Sequence, residues 1–169
     1  ERFAGLTCKF SDSATVPFRR LRVKLKREII RFIDPALAPA TGRAPAVAPE
    51  TLRDWLRRGR DETGRELVLL DTRNREEVGH GTFAGALTLP IDNFTDLPAA
   101  LESRRAELAG KTIVSFCTGG IRCEKAALWM AQAGYEHVLQ LEGGILGYFE
   151  QVGGEGYAGG CFVFDERVA

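Results

Sequence analysis

From Pro49 onward, apolar and polar positions fall into blocks that read alternately as helix and strand. Pro49 suits the first turn of a helix running to about Arg58, with Leu52, Trp55 and Leu56 on one face. The run ELVLLDTR (66–73) is apolar on both faces and reads as a buried strand ended by Asp71. GALTLPI (85–91) predicts a short strand, FTDLPAALESRRAELA (94–109) a helix, and KTIVSF (111–116) a second fully apolar strand. EKAALWMAQAG (124–134) predicts a helix closed by Gly134, HVLQL (137–141) a strand, EGGI a turn, and LGYFEQVG (146–153) a last helix. Strands alternating with helices place the chain in the α/β class, with a parallel sheet flanked by helices on both faces.

The front of the chain differs. In FRRLRVKLKREIIR (18–31), Leu21, Val23 and Leu25 alternate with Arg20, Arg22, Lys24 and Lys26, the pattern of a half-buried strand with a basic outer face. A lone hairpin is marginal in water, so this strand reads as the remnant of a further domain or as a partner of the main one. DPALAPATGRAPAVAP (34–49) holds four of the seven prolines and reads as an extended linker. The expected organisation is a remnant over 1–34, a linker over 35–48, the main domain over 49–152 and an extension over 153–169. A start at Glu1 rather than Met fits a fragment.

Composition narrows the function classes. The chain has 169 residues and zero formal net charge, which argues against nucleic-acid binding driven by overall charge but leaves a local basic patch open. It has no apolar run long enough to span a membrane and no signal segment. Of the four cysteines, Cys8, Cys117, Cys123 and Cys161, no pair has zinc-site spacing, and neither His80 nor His137 completes one. No metal or other cofactor is evident. The expectation is a reduced, cytoplasmic protein with one thiol of interest.

That thiol is Cys117. It lies at the C-terminal end of a predicted parallel strand, where such sheets place their ligand sites. Thr118, Gly119, Gly120, Ile121 and Arg122 carry the chain from it into a helix. The glycines let backbone N–H groups converge, the helix start adds its unpaired N–H groups, and Arg122 adds a charge. All three stabilise a thiolate or an anion carried on its sulfur. A phosphatase loop has one more residue between cysteine and arginine; the four here suit a single sulfur better than a phosphate. Cys123, in the first helical turn, either packs or resolves an oxidised Cys117, with packing the favoured reading. Cys8 and Cys161 read as structural.

Around this loop the sequence resembles the rhodanese family over about residues 47–152. In LLDTRNREEVGHGTFAGALTLP, Asp71, Arg73, Glu77, Gly81, Phe83, Gly85 and Ala86 fit the family's first hallmark. Thr82 stands where histidine is usual, and His80, two residues early, reads as a loop residue. LEGGI (141–145) looks like the second hallmark. CTGGIRCEKA, LEGGI and FVFDER together are similar to a narrower group, the tRNA uridine hydroxylases of the TrhO type. That resemblance implies a rhodanese-like domain preceded by a truncated α+β domain. It also implies oxygen-dependent formation of 5-hydroxyuridine at the tRNA wobble position through Cys117. The alternative is a sulfurtransferase carrying a persulfide on Cys117, supplied by a small sulfur donor; a non-catalytic binding module is a distant third.

Other residues carry weaker signals. Asp71, Arg73 and Glu77 either shape the substrate mouth or hold loops together by ion pairing, and the second reading is favoured. Lys125 either meets a phosphate or faces solvent. Arg20, Arg22, Lys24 and Lys26 form a solvated face or contact tRNA phosphates, an arrangement that Arg53, Arg57, Arg58 and Arg60 could extend. Trp55 and Trp129 fall at helical apolar positions that suit a core. The residues do not fix an oligomeric state.

Overall fold

The structure is a computed structural model that describes residues 43–163 together with Gly5, Val16, Arg20, residues 23–26 and 28–34, and Leu37. Among these, a five-stranded parallel sheet runs in the order β1-β6-β5-β2-β4. Its strands are β1 (Ala46–Val47), β2 (Leu67–Asp71), β4 (Leu87–Thr88), β5 (Thr112–Phe116) and β6 (Val138–Leu141). Every residue of β5, the central strand, is buried, which is why the sequence there shows no polar alternation. The helices are α1 (Pro49–Arg58), α2 (Arg75–His80), α3 (Leu97–Glu102), α4 (Arg105–Leu108), α5 (Ile121–Gln132) and α6 (Gly144–Val152).

Two hydrophobic layers sandwich the sheet. Leu52 and Trp55 of α1 pack with Ile145 and Tyr148 of α6 over Leu69, Val114 and Phe116. On the other side, Leu97 and Leu101 of α3 pack with Ala126 and Met130 of α5 over Leu70 and Ile113. Phe32 and Leu37 join this second layer, and the Phe32 and Phe94 ring centroids are 4.7 Å apart. The front of the chain is therefore seated on the domain at this point.

Several local expectations change. The predicted helix over 94–109 is a 3-10 turn (Phe94–Asp96) followed by α3 and α4. Arg104, at φ −108 and ψ 3, leaves the helical path. Next to it, Arg105 lies over the Tyr135 ring at 4.2 Å and donates to the Ala133 carbonyl at 3.0 Å. Contacts with the end of α5 thus override the local preference for a continuous helix. Within the expected linker, Ala46–Val47 are the edge strand β1. β3 (Gly81–Phe83) and β7 (Tyr157–Gly159) form an antiparallel ribbon outside the main sheet, and His80 closes α2 rather than lying in a loop.

Among the described residues, the expected N-terminal strand is not found. Residues 23–26 carry no strand, and Val23 and Leu25 are fully solvent-facing, at 85% and 101% exposure. Alternation alone supplies no ladder, and no strand of the sheet pairs with these residues. Leu21, Arg22, Cys8 and residues 164–169, which include most of FVFDER, lie outside the described residues. Among the described residues no helix is long and apolar enough to cross a membrane.

Candidate active site

β5 delivers Cys117 to the sheet's C-terminal edge, and α5 begins four residues later. The loop between them is shaped from behind by α6. Ile145 N–H donates to the Cys117 carbonyl at 3.0 Å, and Leu146 N–H donates to the Thr118 carbonyl at 3.1 Å. Gly144 makes this contact achievable. It sits at φ +64, and a Cβ there would lie 2.5 Å from the Cys117 carbonyl oxygen and 2.7 Å from Gly120 N. The second hallmark, read from sequence as a turn, is thus the backstop of the cysteine loop. Its paired glycines were the available signal.

On the front of the loop, Gly120, at φ +89, donates its N–H to Cys117 Sγ at 3.2 Å. Of the two loop glycines, this is the one whose conformation requires glycine. Cys117 is only 2% exposed, yet its thiol is lowered from 9.0 to about 6. The largest cause is the Cys123 thiol, which hydrogen-bonds the Cys117 sulfur. Burial opposes ionisation, and the Arg122 charge and the amides of Cys123 and Arg122 favour it. Cys123 is completely buried, 3.8 Å from Thr72 Oγ1, and its own thiol is pushed well up, first by burial and then by Cys117. It packs, as expected, and it also serves its neighbour as a donor.

Arg122 does not reach out to solvent. Glu77, 1% exposed, grips its guanidinium with both oxygens at 2.6 and 2.7 Å and also accepts from Asn74 N–H at 3.1 Å. The Asp71–Arg73 pair is wholly buried, with a closest approach of 2.7 Å, and Arg73 also donates to the Gly81 carbonyl at 2.6 Å. Thr82 donates to Asp71 at 2.7 Å. The residue that departs from the usual rhodanese histidine therefore braces this pair. Asp71 and Arg73 stay out of the cleft described below, so the geometry favours the loop-holding reading for them, and likewise for Glu77.

A cleft of about 850 Å³ opens beside the cysteine. Cys117, Thr118, Gly119, Ile121 and Arg122 form one wall, and Asn74, Asn93, Phe94 and Thr95 form another. Residues 29–33 close the remaining side. Lys125, left open between phosphate and solvent, does not face solvent. It is 5% exposed, donates to the Ile30 carbonyl at 3.0 Å and pairs with Glu28 at 3.0 Å, so it pins the front segment over the loop. The sequence offered no signal for this contact, which spans 95 positions. Arg20, Lys24 and Lys26 are exposed and do not line the cleft, whereas Arg31 does. Arg57 is engaged by Glu155 at 2.7 Å, and Arg53 pairs with Asp54. Among the described residues, no group of three or more His, Cys, Asp or Glu could hold a metal ion.

A parallel sheet whose central strand presents an amide-cradled cysteine, backed by a Gly-Gly helix start, defines a rhodanese-like domain. The model of the Rhodanese-like domain family matches residues 50–151. The chain belongs to this family and, within it, to the tRNA uridine(34) hydroxylase family. Over 168 residues, 99% of the chain, it is 68% identical to the tRNA uridine(34) hydroxylase of Xanthomonas oryzae pv. oryzae (strain PXO99A). It is 64% identical to the protein of the same name from Bordetella petrii. The chain spans 66% of the first relative's length and 67% of the second's. Among solved structures, the human single-domain sulfurtransferase TSTD1 superposes with a TM-score of 0.51 at 29% identity, over 64% of this chain and 97% of that one.

Proposed function

We propose that this chain is the cysteine-bearing part of a tRNA-modifying enzyme that forms 5-hydroxyuridine at wobble uridine 34 in an oxygen-dependent reaction requiring Cys117. The observation that carries this reading is 68% identity along nearly the whole chain to a protein named for that activity. The site supports it with a thiol lowered to about 6, facing a cleft large enough for a nucleotide. In this reading the substrate is tRNA, the location is the cytoplasm, and Cys117 acts as the thiolate. The amide of Gly120 holds the sulfur, while Arg122, fixed by Glu77, keeps a positive charge beside it. No resident cofactor is assigned.

The test is nucleoside mass spectrometry of tRNA from cells carrying the full-length protein, wild type or Cys117→Ser. The expected result is 5-hydroxyuridine with the first and none with the second. Undiminished 5-hydroxyuridine with the serine protein would remove Cys117 from the reaction, and none with the wild type would remove the activity.

A second reading, sulfur transfer through a Cys117 persulfide, is favoured by one observation. The loop cradles a single sulfur with backbone N–H groups, within a fold shared with a human sulfurtransferase. In that case thiosulfate would supply the sulfur and a thiol or cyanide would accept it. Turnover of thiosulfate by wild type and not by Cys117→Ser is the expected signature, and turnover by the serine protein would dismiss it.

A further inference from the structure

Residues 28–33 are fastened to the domain at alternate positions. Glu28 pairs with Lys125, the Ile30 carbonyl accepts from Lys125 Nζ at 3.0 Å, and Phe32 is buried against Phe94. The residues between, Ile29, Arg31 and Ile33, are exposed, and all three line the cleft that holds Cys117. Arg31 therefore extends from a backbone anchored on both sides. Its side chain makes no hydrogen bond or ion pair among the described residues. The other cationic side chain of the cleft, Arg122, is gripped by both oxygens of Glu77, and no acidic residue lines the cleft. Arg31 thus gives the mouth an uncompensated positive charge. Exposed aliphatic side chains surround it: Ile29 and Ile33 on its own segment and Ile121 on the cysteine-loop wall.

We infer that the mouth holds single-stranded RNA backbone and that Arg31 pairs with a phosphate flanking the nucleotide presented to Cys117; the inference rests on the tRNA-uridine reading above. A nucleotide within an RNA chain carries a phosphate on each side, and each phosphate needs a cation or water. Inside the cleft the Arg122 charge is already engaged by Glu77, so the free guanidinium at the mouth is the better partner. A guanidinium offers a planar fork of N–H donors that matches two phosphate oxygens. The isoleucines beside it give neighbouring unpaired bases an apolar surface. Sites for single strands combine cations along the backbone with side chains on which bases rest. A protein docked on the same isoleucines would close the cleft over Cys117 and shut out a substrate. Lys24 and Lys26 are exposed as well but lie off the cleft, so neither can reach a phosphate next to the reacting nucleotide in this way.

The test is the salt dependence of RNA binding. An anticodon-loop hairpin bearing uridine at position 34 is titrated with the full-length protein, and fluorescence anisotropy is read over a range of potassium chloride concentrations. Wild type, Arg31→Gln, Arg31→Lys and Lys26→Gln are compared, with thermal unfolding as the check on folding. Arg31→Gln should weaken binding about five- to tenfold at roughly 0.1 M salt and make the slope of log affinity against log salt shallower by about 0.7, as for one lost single-strand phosphate contact. Arg31→Lys keeps the charge and should keep the slope. A hairpin with cytidine at the same position should lose as much as the uridine hairpin, because a phosphate carries no base identity. An unchanged slope in folded Arg31→Gln would overturn the assignment. So would an equal loss in Lys26→Gln, which would make Arg31 one charge of a diffuse field, and so would a loss confined to the uridine hairpin, which would make it a base contact. 5-Hydroxyuridine formation by the wild-type protein, measured in parallel, tests the underlying reading separately. If that activity is present and Arg31→Gln leaves the slope unmoved, the phosphate lies elsewhere and the enzyme reading stands. If the wild type neither binds the hairpin nor forms 5-hydroxyuridine, the reading falls and this inference with it.

Discussion

Replacing Cys123 by alanine removes the group that does most to keep Cys117 ionised. With its pKa at about 6, Cys117 is roughly 90% thiolate at pH 7. A hydrogen bond to a charged group contributes about 1.5–3 kcal/mol. At 1.36 kcal/mol per unit, its loss raises the pKa by about 1–2 units, to roughly 7–8. The thiolate fraction at pH 7 then falls to between about 10% and 50%. The change should be tolerated, because removing one buried methylene-sized group costs roughly 1 kcal/mol. The assay is the pH dependence of iodoacetamide labelling, read on the Cys117 peptide by mass spectrometry so that the other cysteines do not contribute. The wild-type midpoint should lie at about 6, and the Cys123→Ala midpoint at least one unit higher. An unmoved midpoint would mean that the amides and Arg122 suffice and that Cys123 only packs. A wild-type midpoint near 9 would refute the cradle itself.

Further outcomes follow from the same geometry. The folded pKa of Cys117, about 6, lies below the 9.0 of a free thiol, so its ionisation stabilises the fold fully above pH 9. That stability shrinks as pH falls and is gone below about 6, so the urea midpoint of wild type relative to Cys117→Ala should rise between pH 6 and 9. Gly144→Ala should lower the melting temperature and slow Cys117 labelling. The left-handed backbone alone costs about 1–2 kcal/mol, and the Cβ would strike the Cys117 carbonyl. Glu77→Ala strands Arg122 at 9% exposure without its partner and should cost about 3–5 kcal/mol in a denaturant titration. A loss under 1 kcal/mol would show that Arg122 finds water or another acceptor.

The parts legible in the sequence were those whose cause is local. β2 and β5 are unbroken apolar runs because both their faces are covered, and α1 and α5 carry apolar stripes because each has one buried face. Cys117 stood out because strand end, glycines and arginine lie within six residues. What stayed hidden depends on distant partners. α2 spans only six residues, and the strands of the β3–β7 ribbon only three each, too few for a period. Thr82 looked like a defect in a hallmark until Asp71 was found beside it. Lys125 reads as a surface residue until residues 28–30 fold onto it. The alternation of Val23 and Leu25 misled because polarity pattern reports what could be buried, not what is covering it.

The bonds from α6 to the cysteine loop have one more consequence. They turn the Cys117 and Thr118 oxygens toward the rear, which leaves the loop's hydrogens to the sulfur. Peptide dipoles fixed in this way are not mobile charges, and dissolved ions shield them little at such short range. Contacts to RNA phosphates, by contrast, weaken steeply as salt rises. On the proposed tRNA reading, raising ionic strength should therefore strip the nucleic acid from the protein while leaving the sulfur's acidity nearly untouched, so that recognition and reactivity answer to different solvents.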